Sequence, residues 1–138
     1  MRVLVTGGGG FIGAWIIRRL AEAGHDPVVF DMHENRGKVA EIAGRDLADR
    51  IDWHVGDIVR TEPVVAAAQG CDGLVHLAGV LTPACRDNPV LGAEVNLIGT
   101  LNAFLAARTH GIPNVAYMSS MGVFGPDGGA EPRPTTHY

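Results

Sequence analysis

The densest chemical signal in the sequence is Thr6-Gly7-Gly8-Gly9-Gly10-Phe11-Ile12-Gly13. It satisfies two spacings at once: G-x-G-x-x-G through Gly8, Gly10 and Gly13, and T-G-x-x-G-x-x-G through Thr6, Gly7, Gly10 and Gly13. Glycines so spaced permit a tight turn, close approach of backbone to a pyrophosphate, and close packing of a helix on a strand. A helix opening there adds unpaired N–H groups and a partial positive charge for an anion. A Walker phosphate loop is excluded, because Ala14-Trp15 follows Gly13 where Lys-Ser/Thr is needed. Asp31 stands 18 residues after Gly13, where a carboxylate accepts hydrogen bonds from both hydroxyls of an adenosine ribose and repels a 2′-phosphate. Arg36 is the nearby cation that would favour such a phosphate, and it reads as a solvated loop arginine. Together these residues imply a dinucleotide, NAD in preference to NADP.

The chemistry requires a strand to deliver the glycines and a helix to receive them. Val3-Leu4-Val5 is the strand, and Phe11 to Leu20, apolar at helical spacing, is the helix. Gly24 stops it, and Pro27 to Asp31 forms a second strand ending on the carboxylate. The same punctuation recurs, with Gly70 before the strand Gly73 to Ala78 and Gly111 before Asn114 to Met118, both read as buried. Between them, Lys38 to Arg50 is a polar-faced helix that Gly44 can split, and Ile51 to Val55 alternates as a third strand. A further helix begins at Asn88-Pro89 and carries Gly92, Asn96, Gly99 and Ala103 as one stripe of small residues, the mark of close packing. Strands alternating with helices predict an α/β fold, a doubly wound parallel sheet.

Composition narrows the function classes. The 138 residues suit one domain, and 46% hydrophobic with 19% charged residues supports a buried core. Mean hydropathy is +0.13 and the pI about 5.8. A net charge of −4 supplies no general attraction to nucleic acid or to anionic membranes, so neither is expected as a partner. Two cysteines, Cys71 and Cys85, far apart, make neither a disulfide framework nor a zinc site, which suits a cytoplasmic location. His76 has no second histidine or carboxylate at ligand spacing, so no metal is assigned, and it reads as a strand-end histidine satisfied by its neighbours.

At the level of motifs, the chain resembles the extended short-chain dehydrogenases/reductases, also called the NAD-dependent epimerase/dehydratase family. Thr6 to Gly13 is similar to the family's T-G-G-x-G-F-I-G signature, and Gly56-Asp57-Ile58 to its adenine-contacting acidic motif. His76-Leu77-Ala78-Gly79 is similar to H-L-A-A with Gly79 in the last place, and Asn96-Leu97-Ile98-Gly99-Thr100 to N-x-x-G-T. Ser119 to Gly125 is similar to S-S-x-x-V-Y-G with Phe124 for tyrosine. The resemblance implies that NAD is held by Gly7, Gly10, Phe11, Ile12, Gly13, Asp31, Asp57, Ile58, Leu77, Ala78, Gly79 and Asn96. For Asp57, a cap on the helix near Thr61 to Pro63 is the competing role.

In that family a tyrosine takes the proton of a secondary alcohol while hydride leaves for the nicotinamide. A lysine four residues later lowers the phenol pKa, and a Ser or Thr shares the substrate hydroxyl. Carried over, Ser120 is the hydroxyl partner and Tyr138 the base; the lysine position falls beyond residue 138, so the chain is expected to be the cofactor-binding front part of a longer enzyme. Met121-Gly122 stand where the family's dehydratases have Asp-Glu, so a dehydrogenase or epimerase of a sugar or nucleotide-sugar-like substrate is preferred. A non-catalytic dinucleotide sensor or scaffold is the alternative. The resemblance also implies a homodimer through the helix over residues 89–109, one apolar face (Leu91, Val95, Ile98, Leu105) covering the sheet and another (Leu97, Leu101, Phe104) meeting a partner.

Overall fold

The apolar run at the N-terminus becomes the central strand. In the computed structural model, which describes residues 1–120, β1 (Arg2–Thr6) lies between β2 (Asp26–Asp31) and β4 (Gly73–His76). The outer strands are β3 (Asp52–Val55) and β5 (Asn114–Tyr117), giving the order β3-β2-β1-β4-β5 with every pair parallel. Parallel neighbours need helical crossovers on the faces of the sheet, so the central strands are covered on both sides and their middles are apolar. The helices are α1 (Phe11–Glu22), α2 (Arg36–Ala43), α3 (Arg45–Arg50), α4 (Thr61–Ala67), α5 (Thr82–Asp87), α6 (Pro89–Ala93) and α7 (Gly99–Thr109). The doubly wound α/β sheet expected from the sequence is the observed fold.

Alternation along the strands divides the core in two. Leu4, Val28, Phe30 and Leu74 pack with Val64, Ala67, Ala103 and Ala106 of α4 and α7. Val5 and Val29 pack with Ala14, Ile17, Val39 and Ala48 of α1, α2 and α3. Leu4, Phe30 and Leu74 are each at most 1% exposed, and burial of one such side chain contributes about 1.5–3 kcal/mol. The glycine stops are where the sequence places them: Gly24, Gly70 and Gly111 have φ of 76°, 73° and 64°. Gly44, at φ 92°, does separate α2 from α3.

Residues 89–109 form one helical rod. Asn88 caps it, its Oδ1 accepting the Leu91 amide at 3.1 Å, and a π-helical turn, Glu94–Ile98, joins α6 to α7. By length and composition this rod could cross a bilayer, yet here its inner face lies on the sheet. That face differs from the expected one. Val95 is buried, but Ile98 and Leu91 are 43% and 37% exposed, and Gly99, Asn102, Ala103 and Ala106 are buried in their place. Small residues are needed where neighbours press on the rod: a Cβ on Gly92 would meet Cys85 Sγ at 3.0 Å and one on Gly99 would meet Ile58 Cγ2 at 2.9 Å. Two further features were not anticipated, α5 and the exposure of β5. Val115 and Tyr117 are 41% and 60% exposed, because β5 is the last strand of the sheet among the described residues.

Candidate functional site

From β1 the chain crosses toward β2, and from β4 it crosses the other way toward β5. The loops leaving the carboxyl ends of β1 and β4 therefore diverge, and a crevice opens between them. It is a cleft of about 600 Å³. Its walls are Gly7, Gly9 and Gly10 of the turn, Phe30 to His33 with Asn35, Gly56 with Ile58, Leu77 to Val80, and Leu91 with Val95 of the long rod.

Each glycine of the turn has its own work. Gly7 has φ 71°, donates its amide to Phe30 O at 2.8 Å, and leaves a Cβ position only 2.8 Å from Ala78 N. A Cβ on Gly8 would meet Val29 Cγ1 at 2.9 Å, and one on Gly13 would lie 2.6 Å from Gly7 O and Gly8 Cα. These three let the turn, β2, β4 and α1 approach one another. Gly10 is different: a Cβ there meets only Gly7 O, at 3.2 Å, and the residue lines the cleft. The first intrahelical bond of α1 runs from Ala14 N to Gly10 O at 3.0 Å, and no side chain caps the helix. The Phe11 and Ile12 side chains are 65% and 52% exposed and outside the cleft lining, so what these residues offer a ligand is main-chain N–H.

Asp31 lines the cleft, and its Oδ2 accepts the Gly9 amide at 2.9 Å, tying carboxylate and turn together. Arg36 is not a solvated loop residue. As the first residue of α2 it is paired with Glu34, donates to the carbonyls of Ala48 and Ile51, and lies over the Trp53 ring at 5.4 Å. Its guanidinium is spent closing the last turn of α3.

Two residues assigned to the cofactor are also bonded to protein. Asp57 is absent from the cleft lining; its Oδ1 accepts the Val59 amide at 3.1 Å and its carbonyl the Arg60 amide at 3.0 Å. It does not cap α4, whose N-cap is Arg60; it shapes the turn that carries Ile58 to the cleft. Asn96 grips Val80, accepting its amide at 2.8 Å and donating to its carbonyl at 3.0 Å. With these two bonds Asn96 holds the cleft wall at Val80.

His76 and Thr6 are buried at the ends of β4 and β1 and pair across the strands, Nδ1 to Oγ1 at 2.7 Å; His76 Nε2 lies 3.0 Å from Thr100 Oγ1. Burial holds the imidazole below its usual pKa of 6.5. The satisfied strand-end histidine expected from the sequence is what the structure contains. Ser120 is exposed beyond the end of β5, on the same edge of the sheet but not in the cleft lining, and Tyr138 lies outside the described residues. Lining residues that sequence reasoning missed include Met32, His33, Asn35 and Val80, which directly follow recognised motifs, and Leu91 and Val95, which arrive from a distant helix that periodicity alone does not aim.

A family profile described as the NAD dependent epimerase/dehydratase family matches residues 3–138. The chain belongs to this family. Among relatives, this chain is 34% identical over 131 residues to UDP-glucose 4-epimerase 3 of Oryza sativa subsp. japonica, covering 89% of itself and 35% of that protein. It is 31% identical over 133 residues to cinnamoyl-CoA reductase 1 of Petunia hybrida, covering 94% of itself and 38% of that protein. Among solved structures, UDP-glucose 4-epimerase of Thermus thermophilus in complex with NAD matches with a TM-score of 0.79 and 32% identity, over 99% of this chain and 45% of that one. The chain thus spans between about a third and a half of the length of these relatives.

Proposed function

We propose that this chain binds NAD and serves as the cofactor part of an epimerase or dehydrogenase acting on a secondary alcohol of a sugar or nucleotide-sugar-like substrate. The observation that carries the reading is the joining of glycine turn and Asp31 carboxylate in one cleft through the Gly9 amide. The site suits the cofactor: the space at Gly10 admits a pyrophosphate, the uncapped start of α1 faces an anion favourably, and Asp31 is placed for ribose hydroxyls. The diversion of Arg36 onto α3 removes the cation that a 2′-phosphate would need. The rice and Thermus epimerases supply the nucleotide-sugar class by similarity.

When bound, NAD accepts a hydride from the alcohol carbon. The chain's own residues bind and exclude: Ile58, Leu91 and Val95 give the cleft apolar walls, and the N–H groups opening α1 hold the phosphates. By resemblance, Ser120 orients the substrate hydroxyl and Tyr138 takes its proton. The resemblance also supports a homodimer through residues 89–109 and a cytoplasmic location.

Titration calorimetry with NAD and NADP tests the reading. NAD is expected to bind more tightly, and Asp31→Ala to narrow the difference by removing the carboxylate that repels the 2′-phosphate. Equal or tighter NADP binding by the wild-type chain overturns it.

A further inference from the structure

Beneath the cleft, a chain of hydrogen bonds has one direction throughout. Thr100 Oγ1 donates to Asn96 O at 2.7 Å, so toward His76 Nε2, 3.0 Å away, its oxygen acts as acceptor and Nε2 carries the proton. His76 Nδ1 is then the bare nitrogen and accepts a hydrogen bond from the Thr6 hydroxyl, Oγ1 to Nδ1 2.7 Å. With its own proton committed, Thr6 Oγ1 accepts the amides of Leu77 at 3.2 Å and Ala78 at 3.4 Å. Leu77 has a second acceptor in Thr6 O at 3.0 Å, whereas the Ala78 amide is given to the hydroxyl. Ala78 is where the two walls of the cleft touch, its nitrogen 2.8 Å from the Cβ position of Gly7. Asn96 anchors both ends of this lip, by its carbonyl through Thr100 and by its side chain on Val80.

We infer that His76 is a positioning residue of the cofactor cleft: as the neutral Nε2–H tautomer it aims the Thr6 hydroxyl so that Ala78 is held against Gly7, linking the cleft to the 89–109 rod. The inference rests on the NAD-binding reading. It assigns a role to a side chain that does not itself line the cleft.

The charge state follows from the same geometry. A second proton, on Nδ1, would face the Thr6 hydroxyl proton; the hydroxyl must turn, and the oxygen gives up an amide. Burial already opposes that proton. The groups around His76 are Thr6 on β1, Thr100 on α7 and, in register on β5, Tyr117, whose exposed ring packs edge-on against Phe104. None of these is charged at neutral pH. NAD affinity is therefore level above pH 6.5 and falls below it as the imidazole charges. Asp31 and His33, the titratable groups of the cleft lining, are the same in every variant compared.

The test compares wild type, His76→Leu and His76→Asn in the full chain. An asparagine oxygen reaches the Nδ1 position and restores the acceptor for Thr6 without a titratable proton. NAD affinity measured from pH 8 to pH 5 should be about tenfold weaker in His76→Leu at pH 8, the effect of about one hydrogen bond. It should be within about threefold of wild type in His76→Asn. The acid loss should disappear from the asparagine variant, which retains Asp31 and His33. Imidazole ¹⁵N shifts at pH 8 should show the Nε2–H tautomer, and amide exchange at Ala78 should quicken in His76→Leu and not in His76→Asn. An Nδ1–H tautomer, or wild-type affinity and pH profile in His76→Leu, overturns the role of His76 alone. Failure of the wild-type chain to bind NAD at any pH overturns the cofactor reading, and the role of His76 with it.

Discussion

Gly10 and Gly13 stand three residues apart and tolerate a side chain very differently. At Gly13 a Cβ is forced to 2.6 Å from two backbone atoms that cannot yield, so Gly13→Val should destabilise the fold by more than the ~1–3 kcal/mol usual for overpacking. At Gly10 the only near atom is Gly7 O at 3.2 Å, and the added branches would occupy the cleft. Gly10→Val is therefore expected to keep the fold and lower NAD affinity by about a hundredfold or more, because the pyrophosphate must approach this backbone. Thermal melts and calorimetry on both variants check the pair. Folded Gly10→Val with unchanged affinity would contradict the assignment.

The rod over residues 89–109 shows how one element serves packing and site together. Gly99 opens α7 with its Cβ position 2.9 Å from Ile58 Cγ2, and Ile58 is a wall of the cleft. Glycine costs about 1 kcal/mol against alanine in a helix, so Gly99→Ala gains that much in propensity. Against the gain stands overlap with a buried β-branched side chain, worth about 1–3 kcal/mol. The overlap should win, lowering the melting temperature by a few degrees. In an Ile58→Ala background the same change should raise it, because the obstructing methyl is gone; a double-mutant cycle of melting temperatures measures the difference. Asn102 adds a second tie from the rod to the cleft wall, donating to Ile58 O and accepting from Thr61 Oγ1, each at 3.0 Å.

For the whole molecule, the outward side of the same rod sets the question of assembly. Leu97 and Leu101 are 58% and 53% exposed, and Phe104 at 38% continues the strip. A second copy of the rod is the partner proposed for it, in keeping with the family resemblance. The full-length protein should sediment as a dimer at micromolar concentration, and Leu101→Glu should convert it to a monomer by burying an unpaired charge at the contact. A wild-type monomer under those conditions would remove the dimer from the proposal.

The sequence by itself determined the alternation of strands with helices, the parallel sheet, the glycine turn and Asp31 at the end of β2. These follow from local rules: apolar runs that must be covered on both faces, glycines that stop helices at positive φ, and a turn without room for a side chain at Gly7, Gly8 or Gly13. Tertiary structure alone decided which side chains are free to act. Asn96 and Arg36 carry the right chemistry in the right neighbourhood, yet Asn96 holds Val80 with its side-chain amide and Arg36 gives its guanidinium to Ala48 and Ile51. Long-range packing likewise put small residues of the 89–109 rod on the sheet and brought Leu91 and Val95 to the cleft. Residue type sets what a polar group can do, but a buried donor or acceptor must find a partner, and partners 12 to 24 residues away or more are chosen by the fold.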